Sequence, residues 1–150
     1  MASRSKKDFV LITNVENNKF YNQLLKDTAF DKDPRVKFVG TVYDQELLKY
    51  IRENAFGYLH GHEVGGTNPS LLEALASTKL NLLLDVGFNR EVGQNSAIYW
   101  KKDDLARVIE KTEELSPEAI AELDSKSNQR IMDEFTWDKI VADYESLFEG

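Results

Sequence analysis

Short apolar runs alternate along this chain with longer runs in which apolar residues recur at helical spacing. The run Leu80–Leu84 is almost entirely apolar, as is typical of a central parallel strand that is buried on both faces. Other strand-like runs lie at Phe9–Thr13, Val36–Val39, Ala55–Leu59 and Ala97–Trp100. This alternation predicts βαβ units and therefore an α/β fold, with a Rossmann-like parallel sheet sandwiched by helices.

Helices are predicted between these strands from apolar spacing and from capping residues. They are Asn17–Lys26, a helix capped by Asp44, Pro69–Thr78, Asp103–Glu113, a helix that starts at Ser116 and Pro117, and Thr136–Phe148. Three segments that follow strands are predicted loops: Gly40–Tyr43, His60–Ser70 and Asp85–Glu91. Because ligands of open α/β sheets bind beyond the carboxyl ends of the strands, these loops are the candidate binding segments.

Composition narrows the chemistry that is open to the chain. Its 150 residues fit a single domain, and the absence of cysteine excludes disulfides, thiolate nucleophiles and cysteine metal sites. A formal charge of -7 argues against nucleic acid as a partner, and the two histidines are too few for a histidine-rich metal site. We therefore expect no metal and no cofactor.

The first residues show no sign of a targeting segment. Met1–Lys7 is basic, is expected to be flexible or a remnant of expression, and leads into an apolar run that is too short for a signal peptide or a membrane span. The sequence therefore predicts a cytoplasmic protein.

The segment His60–Glu73 carries the most distinctive chemistry. It leaves a strand, passes through Gly65 and Gly66, and enters a helix with Asn68 at the cap and Pro69 at the first helical position. Glycines allow close backbone approach, and the N–H groups of a helix start favour anions. Glu73, one turn inside the helix, is placed to accept hydrogen bonds from sugar hydroxyls. Amides that can hold phosphate beside such a carboxylate are suited to a nucleotide. The alternative is that the glycines only form a tight turn and that Glu73 is a solvated helix residue.

The stretch Glu63–Ala76, with Phe38–Val42 before it and Leu80–Glu91 after it, resembles the donor-binding half of retaining glycosyltransferases with the GT-B fold. The family is the large group 4, which includes glycogen-synthase-like and sucrose-synthase-like enzymes. The string His-Glu-Val-Gly-Gly-Thr-Asn-Pro-Ser-Leu-Leu-Glu-Ala is most similar to bacterial rhamnosyltransferases of polysaccharide assembly. The resemblance extends from about Asp8 to the end of the chain.

The resemblance implies a set of donor-binding residues. Glu73 matches the second glutamate of the family's signature, which bonds the ribose hydroxyls. The first glutamate, which contacts the donor sugar, falls on Gly65, so either the backbone of Gly65 and Gly66 or the side chain of Glu63 would replace it. Further positions implied at the donor site are Thr67, Asn68 and Ser70 for the diphosphate and Thr41, Val42 and Tyr43 for the base. His62 is expected to form a hydrogen bond in the donor site, and Glu91 resembles a position near it.

Two residues near these positions have other expected roles. His60 is expected to be a packed imidazole at a strand end. Arg90 is left open between a phosphate contact and a surface salt bridge.

The resemblance also implies what the chain would do and what it would need. The implied donor is a nucleotide-diphospho-sugar, with dTDP-rhamnose as the best match, and the implied acceptor is a polysaccharide or lipid-linked sugar. The family's arginine and lysine that neutralise the diphosphate have no counterpart here, nor does its acceptor-binding domain. We therefore expect a donor-binding fragment of a larger enzyme at the inner face of the membrane, inactive alone. Its last helix, with Trp137 and Tyr144, resembles the helix that in such enzymes packs on the acceptor-binding domain.

Two other classes remain as alternatives. A noncatalytic flavodoxin-like module, such as a signalling receiver, would need acidic residues after its first strand and an aspartate after its third. This chain has Thr13-Asn14 and His60-Gly61 there, which disfavours that class. A UDP-sugar epimerase-like domain would use a similar helix start, and only the Gly-Gly-Thr-Asn-Pro-Ser string separates it from the transferase interpretation.

Overall fold

The computed structural model describes residues 3–14, 18–66, 68–136 and 138–139. Within these ranges, strands alternate with helices and every strand pairing is parallel. The predicted α/β class is therefore confirmed. The chain divides into two compact units, Arg4–Leu48 and the part from Lys49 onward, here called the amino-terminal and carboxy-terminal units.

The amino-terminal unit holds a two-stranded sheet and has no fully buried residue in its described part. Strand β1 (Phe9–Leu11) pairs with β2 (Val36–Phe38), and helix α1 (Lys19–Thr28) lies between them in sequence. Asn18 caps α1 by accepting a hydrogen bond from the backbone N–H of Tyr21. Because little apolar surface leaves water here, this unit has almost no hydrophobic core of its own.

The carboxy-terminal unit is built on a three-stranded sheet in the order β3-β4-β5. These strands are Tyr58–His60, Asn81–Leu84 and Ile98–Trp100, and all four residues of β4 are buried. On one face of the sheet, Leu83 packs in a cluster with residues of the flanking helices, namely Leu71, Leu75 and Val92. On the other face, Leu80, Leu82, Leu84 and Trp100 form a second cluster. The apolar run therefore forms the buried central strand that was predicted.

Helices α2, α3 and α6 begin where the predicted capping residues indicate. Helix α2 (Gln45–Asn54) follows Asp44, whose Oδ1 accepts from the N–H groups of Glu46 and Leu47. Helices α3 (Pro69–Ser77) and α6 (Pro117–Glu134) start with Asn68 and Ser116 at their caps and proline at the first position, and they pack on each other. Helix α5 is Leu105–Glu113.

Several predicted bounds were wrong. The third strand was expected at Ala55–Leu59 but begins at Tyr58, because α2 runs to Asn54 and the N–H of Ala55 still bonds to the carbonyl of Arg52. The other strands are shorter than predicted by one or two residues. The predicted last helix, including Trp137 and Tyr144, lies almost wholly outside the described residues, as do Asn17 and Thr67.

The predicted loop Asp85–Glu91 is wrong, since Gly87–Gly93 forms a helix, α4. Asn89 and Val92 are buried on its inner side, whereas Arg90 is exposed and pairs with Asp85 just before the helix. The Arg130 guanidinium donates to the carbonyls of Glu91 and Val92, which places a cation at the negative end of the helix dipole.

Among the described residues, no helix combines the length and the apolar character needed to cross a membrane.

The two glycines of α4 provide a test of its packing. A Cβ at Gly93 would lie 2.7 Å from Leu83 Cδ1 and 2.8 Å from the Tyr99 hydroxyl, whereas a Cβ at Gly87 meets nothing within 4 Å. We predict that Gly93→Ala lowers the free energy of unfolding by about 1–3 kcal/mol through overpacking, and that Gly87→Ala leaves it unchanged or slightly raised. Urea denaturation of both variants measures this. Equal stability of the two would show that α4 does not pack on β4 as described.

Candidate functional site

The turn between β3 and α3 is open to solvent. Every residue from Gly61 to Gly66 is exposed, and Gly65 has a φ of +119°, which side-chain-bearing residues rarely adopt. The turn leaves the carboxyl end of β3, beside the carboxyl end of β4. It therefore lies at the edge of the sheet where ligands of α/β folds bind.

The start of α3 is already capped by its own chain. Asn68 Oδ1 accepts from the N–H of Ser70 at 2.9 Å, and the Asn68 carbonyl accepts from the N–H of Leu71 at 3.0 Å. Pro69 has no N–H to offer. An anion at this helix start must therefore compete with the Asn68 side chain for Ser70, or bind instead to the exposed Gly65–Gly66 backbone and the Ser70 hydroxyl.

Glu73 forms an ion pair that the sequence analysis did not predict. Its Oε2 lies 2.8 Å from Nη1 of Arg52, on α2. The Arg52 side chain is 14% exposed and that of Glu73 is 45% exposed, so the guanidinium is held inward while the carboxylate still faces solvent. This pair limits the positions that the carboxylate can adopt and offsets its charge.

Two stacked histidine rings lie at the end of β3. The ring of His60 is 1% exposed and stacks on that of the exposed His62, with centroids 4.8 Å apart and planes 22° apart. His60 Nδ1 is 3.1 Å from the hydroxyl of Tyr58. Burial, and secondarily the neighbouring His62, lowers the pKa of His60 to about 4. The prediction that His60 is a packed imidazole is confirmed.

Tyr58 links these histidines electrostatically to the ion pair on α2 and α3. Burial is the largest cause of its raised pKa, while Arg52 lowers this pKa and Glu73 raises it. The phenol therefore feels both charges of the pair and also bonds to the ring of His60.

Asn89 connects α4 to this turn. It is fully buried, and its Nδ2 donates to the carbonyl of Leu84 at 2.9 Å and to that of His62 at 3.2 Å. No local pattern indicates this role, because the contact with His62 joins residues that are 27 positions apart. Asn89 is a structural tie between the carboxyl end of β4 and the turn after β3.

Two of the remaining charged candidates, Glu63 and Arg90, are paired. Glu63 forms an ion pair with Lys102, and Arg90 pairs with Asp85 while its guanidinium lies 4.4 Å from the ring centroid of Tyr99. Of the two interpretations left open for Arg90, the structure shows the salt bridge. Glu91 is exposed on α4. Among the described residues, no three side chains of the metal-ligating types come together.

The segment expected to touch a base belongs to the amino-terminal unit. Val42 is half-buried, whereas Tyr43 is 82% exposed. Thr41 lines a cleft of about 510 Å³ beyond the carboxyl ends of β1 and β2, whose other described lining residues are Thr13, Asn14, Asn18, Phe20, Tyr21 and Phe38. Sequence reasoning missed these residues, because they come from separate segments of the chain that are brought together only in the folded unit.

Comparison with protein-family models finds no match, and no curated protein matches the chain in sequence.

The buried ring of His60 predicts a pH-dependent stability. Its pKa is about 4 in the folded chain against 6.5 for an ordinary histidine, so the unfolded chain takes up a proton that the folded chain does not. The free energy of unfolding should therefore be highest above pH 6.5 and decrease as the pH falls towards 4. Urea denaturation across this range measures the slope.

Two variants test whether His60 causes this dependence of stability on pH. His60→Gln, which cannot titrate, should remove most of it, whereas the exposed-ring control His62→Gln should retain most of it. An unchanged slope in His60→Gln would contradict the assignment.

Proposed function

We propose that this chain binds a nucleotide-diphospho-sugar, as the donor-binding part of a retaining glycosyltransferase. The observation that carries the proposal is the open, glycine-containing turn at the carboxyl ends of β3 and β4, which leads into α3, where Arg52 fixes the partly exposed carboxylate of Glu73. A plain tight turn would need neither the inward-facing arginine nor the exposed acid.

Glu73 is suited to accept hydrogen bonds from ribose hydroxyls. An ionised carboxylate only accepts, and one of its oxygens can hold Arg52 while the other takes a hydroxyl. Hydrogen bonds to a charged group are the stronger kind. The pairing with Arg52 also reduces the repulsion that a carboxylate would otherwise exert on a nearby diphosphate.

The diphosphate would rely largely on neutral donors. The cations Arg90 and Lys102 are paired with Asp85 and Glu63. The exposed backbone of Gly65 and Gly66 and the hydroxyl of Ser70 are therefore the groups that we assign to it. We expect the binding to depend only weakly on salt, because screening acts mainly on charge pairs that are exposed.

In the reaction, this part would stabilise the negative charge that develops on the departing diphosphate. Positioning of the attacking hydroxyl would fall to a separate acceptor-binding part, with a polysaccharide or lipid-linked sugar as acceptor. Rhamnose carried by dTDP is the donor that the sequence resemblance favours. We accordingly expect this chain by itself to bind donor but to show little or no transfer.

Calorimetric titration with dTDP, UDP and GDP tests the ribose role of Glu73. We predict that one of these diphosphates binds and that Glu73→Ala weakens its binding by about 1.5–3 kcal/mol, or roughly ten- to a hundredfold, through loss of a charged acceptor. Glu53→Ala, which removes an exposed acid of α2 that pairs with Lys49, is the matched control and should bind as the parent chain does.

The outcomes separate two errors. Equal binding by the parent chain and Glu73→Ala would remove Glu73 from the ribose role. Failure of all three diphosphates to bind to the parent chain would overturn the proposed function.

A further inference from the structure

Four buried side-chain atoms have no hydrogen-bond partner among the described residues: His60 Nε2, Thr78 Oγ1, Asn81 Oδ1 and Asn89 Oδ1. Buried polar atoms in proteins nearly always have a partner, so each exception calls for an explanation. Thr78 and Asn81 lie at the amino end of β4, within the connection from α3. His60 and Asn89 instead lie at the carboxyl edge, where ligands of this fold class bind.

His60 and Asn89 lie under the same turn. His60 ends β3 and is paired in register with Leu83, while Asn89 Nδ2 bonds to the carbonyl of the next residue, Leu84. Neighbouring strands are about 5 Å apart, so His60 and the Leu84 carbonyl that holds Asn89 lie at the same edge of the sheet. His62 covers both, because its ring stacks on His60 and its carbonyl accepts from Asn89.

The two unpartnered atoms are complementary in hydrogen bonding. The Nδ2 of Asn89 donates to two carbonyls, which fixes the orientation of the amide and leaves Oδ1 as an acceptor. The Tyr58 hydroxyl bonds to His60 Nδ1. The site requires the tautomer in which the Tyr58 hydroxyl donates to Nδ1, so that the neutral ring carries its proton on Nε2. The lowered pKa of His60, about 4, keeps the ring neutral near pH 7.

The geometry points to a site for a sugar hydroxyl, which accepts from His60 Nε2–H and donates to Asn89 Oδ1. This inference rests on the proposed function and assigns the hydroxyl to the sugar that the nucleotide carries. The diphosphate of a nucleotide sugar fits poorly, because at pH 7 it offers only acceptor oxygens and would meet Asn89 Oδ1 beside the carbonyls of Leu84 and His62. A hydroxyl satisfies both atoms at once.

The cover over this site is thin. His62 is exposed, and every residue of the turn Gly61–Gly66 is exposed as well. Entry of a hydroxyl to this site requires a local movement of the exposed turn, since both His60 Nε2 and Asn89 Oδ1 are buried.

The test separates the contribution of the sugar to binding from that of the nucleoside diphosphate. Calorimetry measures the affinities of three nucleotide sugars, dTDP-rhamnose, UDP-glucose and GDP-mannose, and of the matching diphosphates dTDP, UDP and GDP. For the nucleotide that binds, the affinity of the nucleotide sugar divided by that of its diphosphate gives the contribution of the sugar. We expect His60→Leu to lower this ratio about three- to tenfold, the effect of one neutral hydrogen bond, while the diphosphate alone binds as before.

Two variants serve as controls. His60→Gln retains an N–H donor near the position of Nε2 and should restore most of the ratio. Thr78→Val removes an unpartnered hydroxyl at the opposite end of β4 and should leave the ratio unchanged.

A measurement on the parent chain avoids any folding defect of a variant. In imidazole nitrogen–proton correlation spectra, the His60 Nε2 signal should shift when the nucleotide sugar is added, and not when the diphosphate alone is added. Diphosphate binding with an unchanged ratio in His60→Leu and no such shift would overturn this inference while the proposed function stands. Absence of binding by all six compounds would overturn both.

Discussion

The burial of β4 between β3 and β5 is the constraint on which the rest of the carboxy-terminal unit depends. Leu83 packs with α3 and α4 on one face, while Leu82 and Leu84 pack with α5 on the other. Since all three strands are parallel, their carboxyl ends meet at one edge, and the connections from β3 to α3 and from β4 to α4 lie there together. The location of the candidate site therefore follows from the same packing that stabilises the unit.

The candidate site holds its charges in pairs and exposes mainly neutral groups. Arg52 offsets Glu73, and the neighbouring ion pairs occupy Glu63 and Arg90. Three buried or partly buried polar side chains of this region bond to neutral groups. The Tyr58 hydroxyl bonds to the ring of His60, and Asn89 donates to backbone carbonyls. Such a surface is suited to a ligand with many hydroxyls and few charges that must be neutralised. A nucleotide sugar has this character at its sugar end.

Local signals predicted much of the fold. The buried strand β4 and the starts of α3 and α6 were predicted correctly. Each of these signals, an apolar run or a capping residue followed by proline, depends on neighbouring residues only. Helix α4 was missed because it is one short segment with a glycine at each end, and its stability comes from burial of Asn89 and Val92. The glycines and the cap-and-proline pair at the turn after β3 marked the candidate residues there, and their binding role stays a prediction.

The partners of those residues could not be predicted in the same way. The ion pair of Arg52 with Glu73 joins the helices before and after β3 in the chain, and the bond of Asn89 to His62 joins α4 to the turn after β3. Both depend on how the sheet brings separate segments together, which no local pattern encodes.

The central claim is that the carboxyl edge of the β3-β4 pair binds a nucleoside diphosphate. Amide chemical-shift mapping during titration with dTDP, UDP or GDP tests it most directly, since each backbone N–H reports on its own surroundings. The account predicts that the largest shifts cluster at Gly65, Gly66, Ser70 and Glu73. Shifts confined to other parts of the carboxy-terminal unit, such as the apolar cleft between β5 and α5 lined by Ile98 and Val108, would contradict it, as would no shift at all.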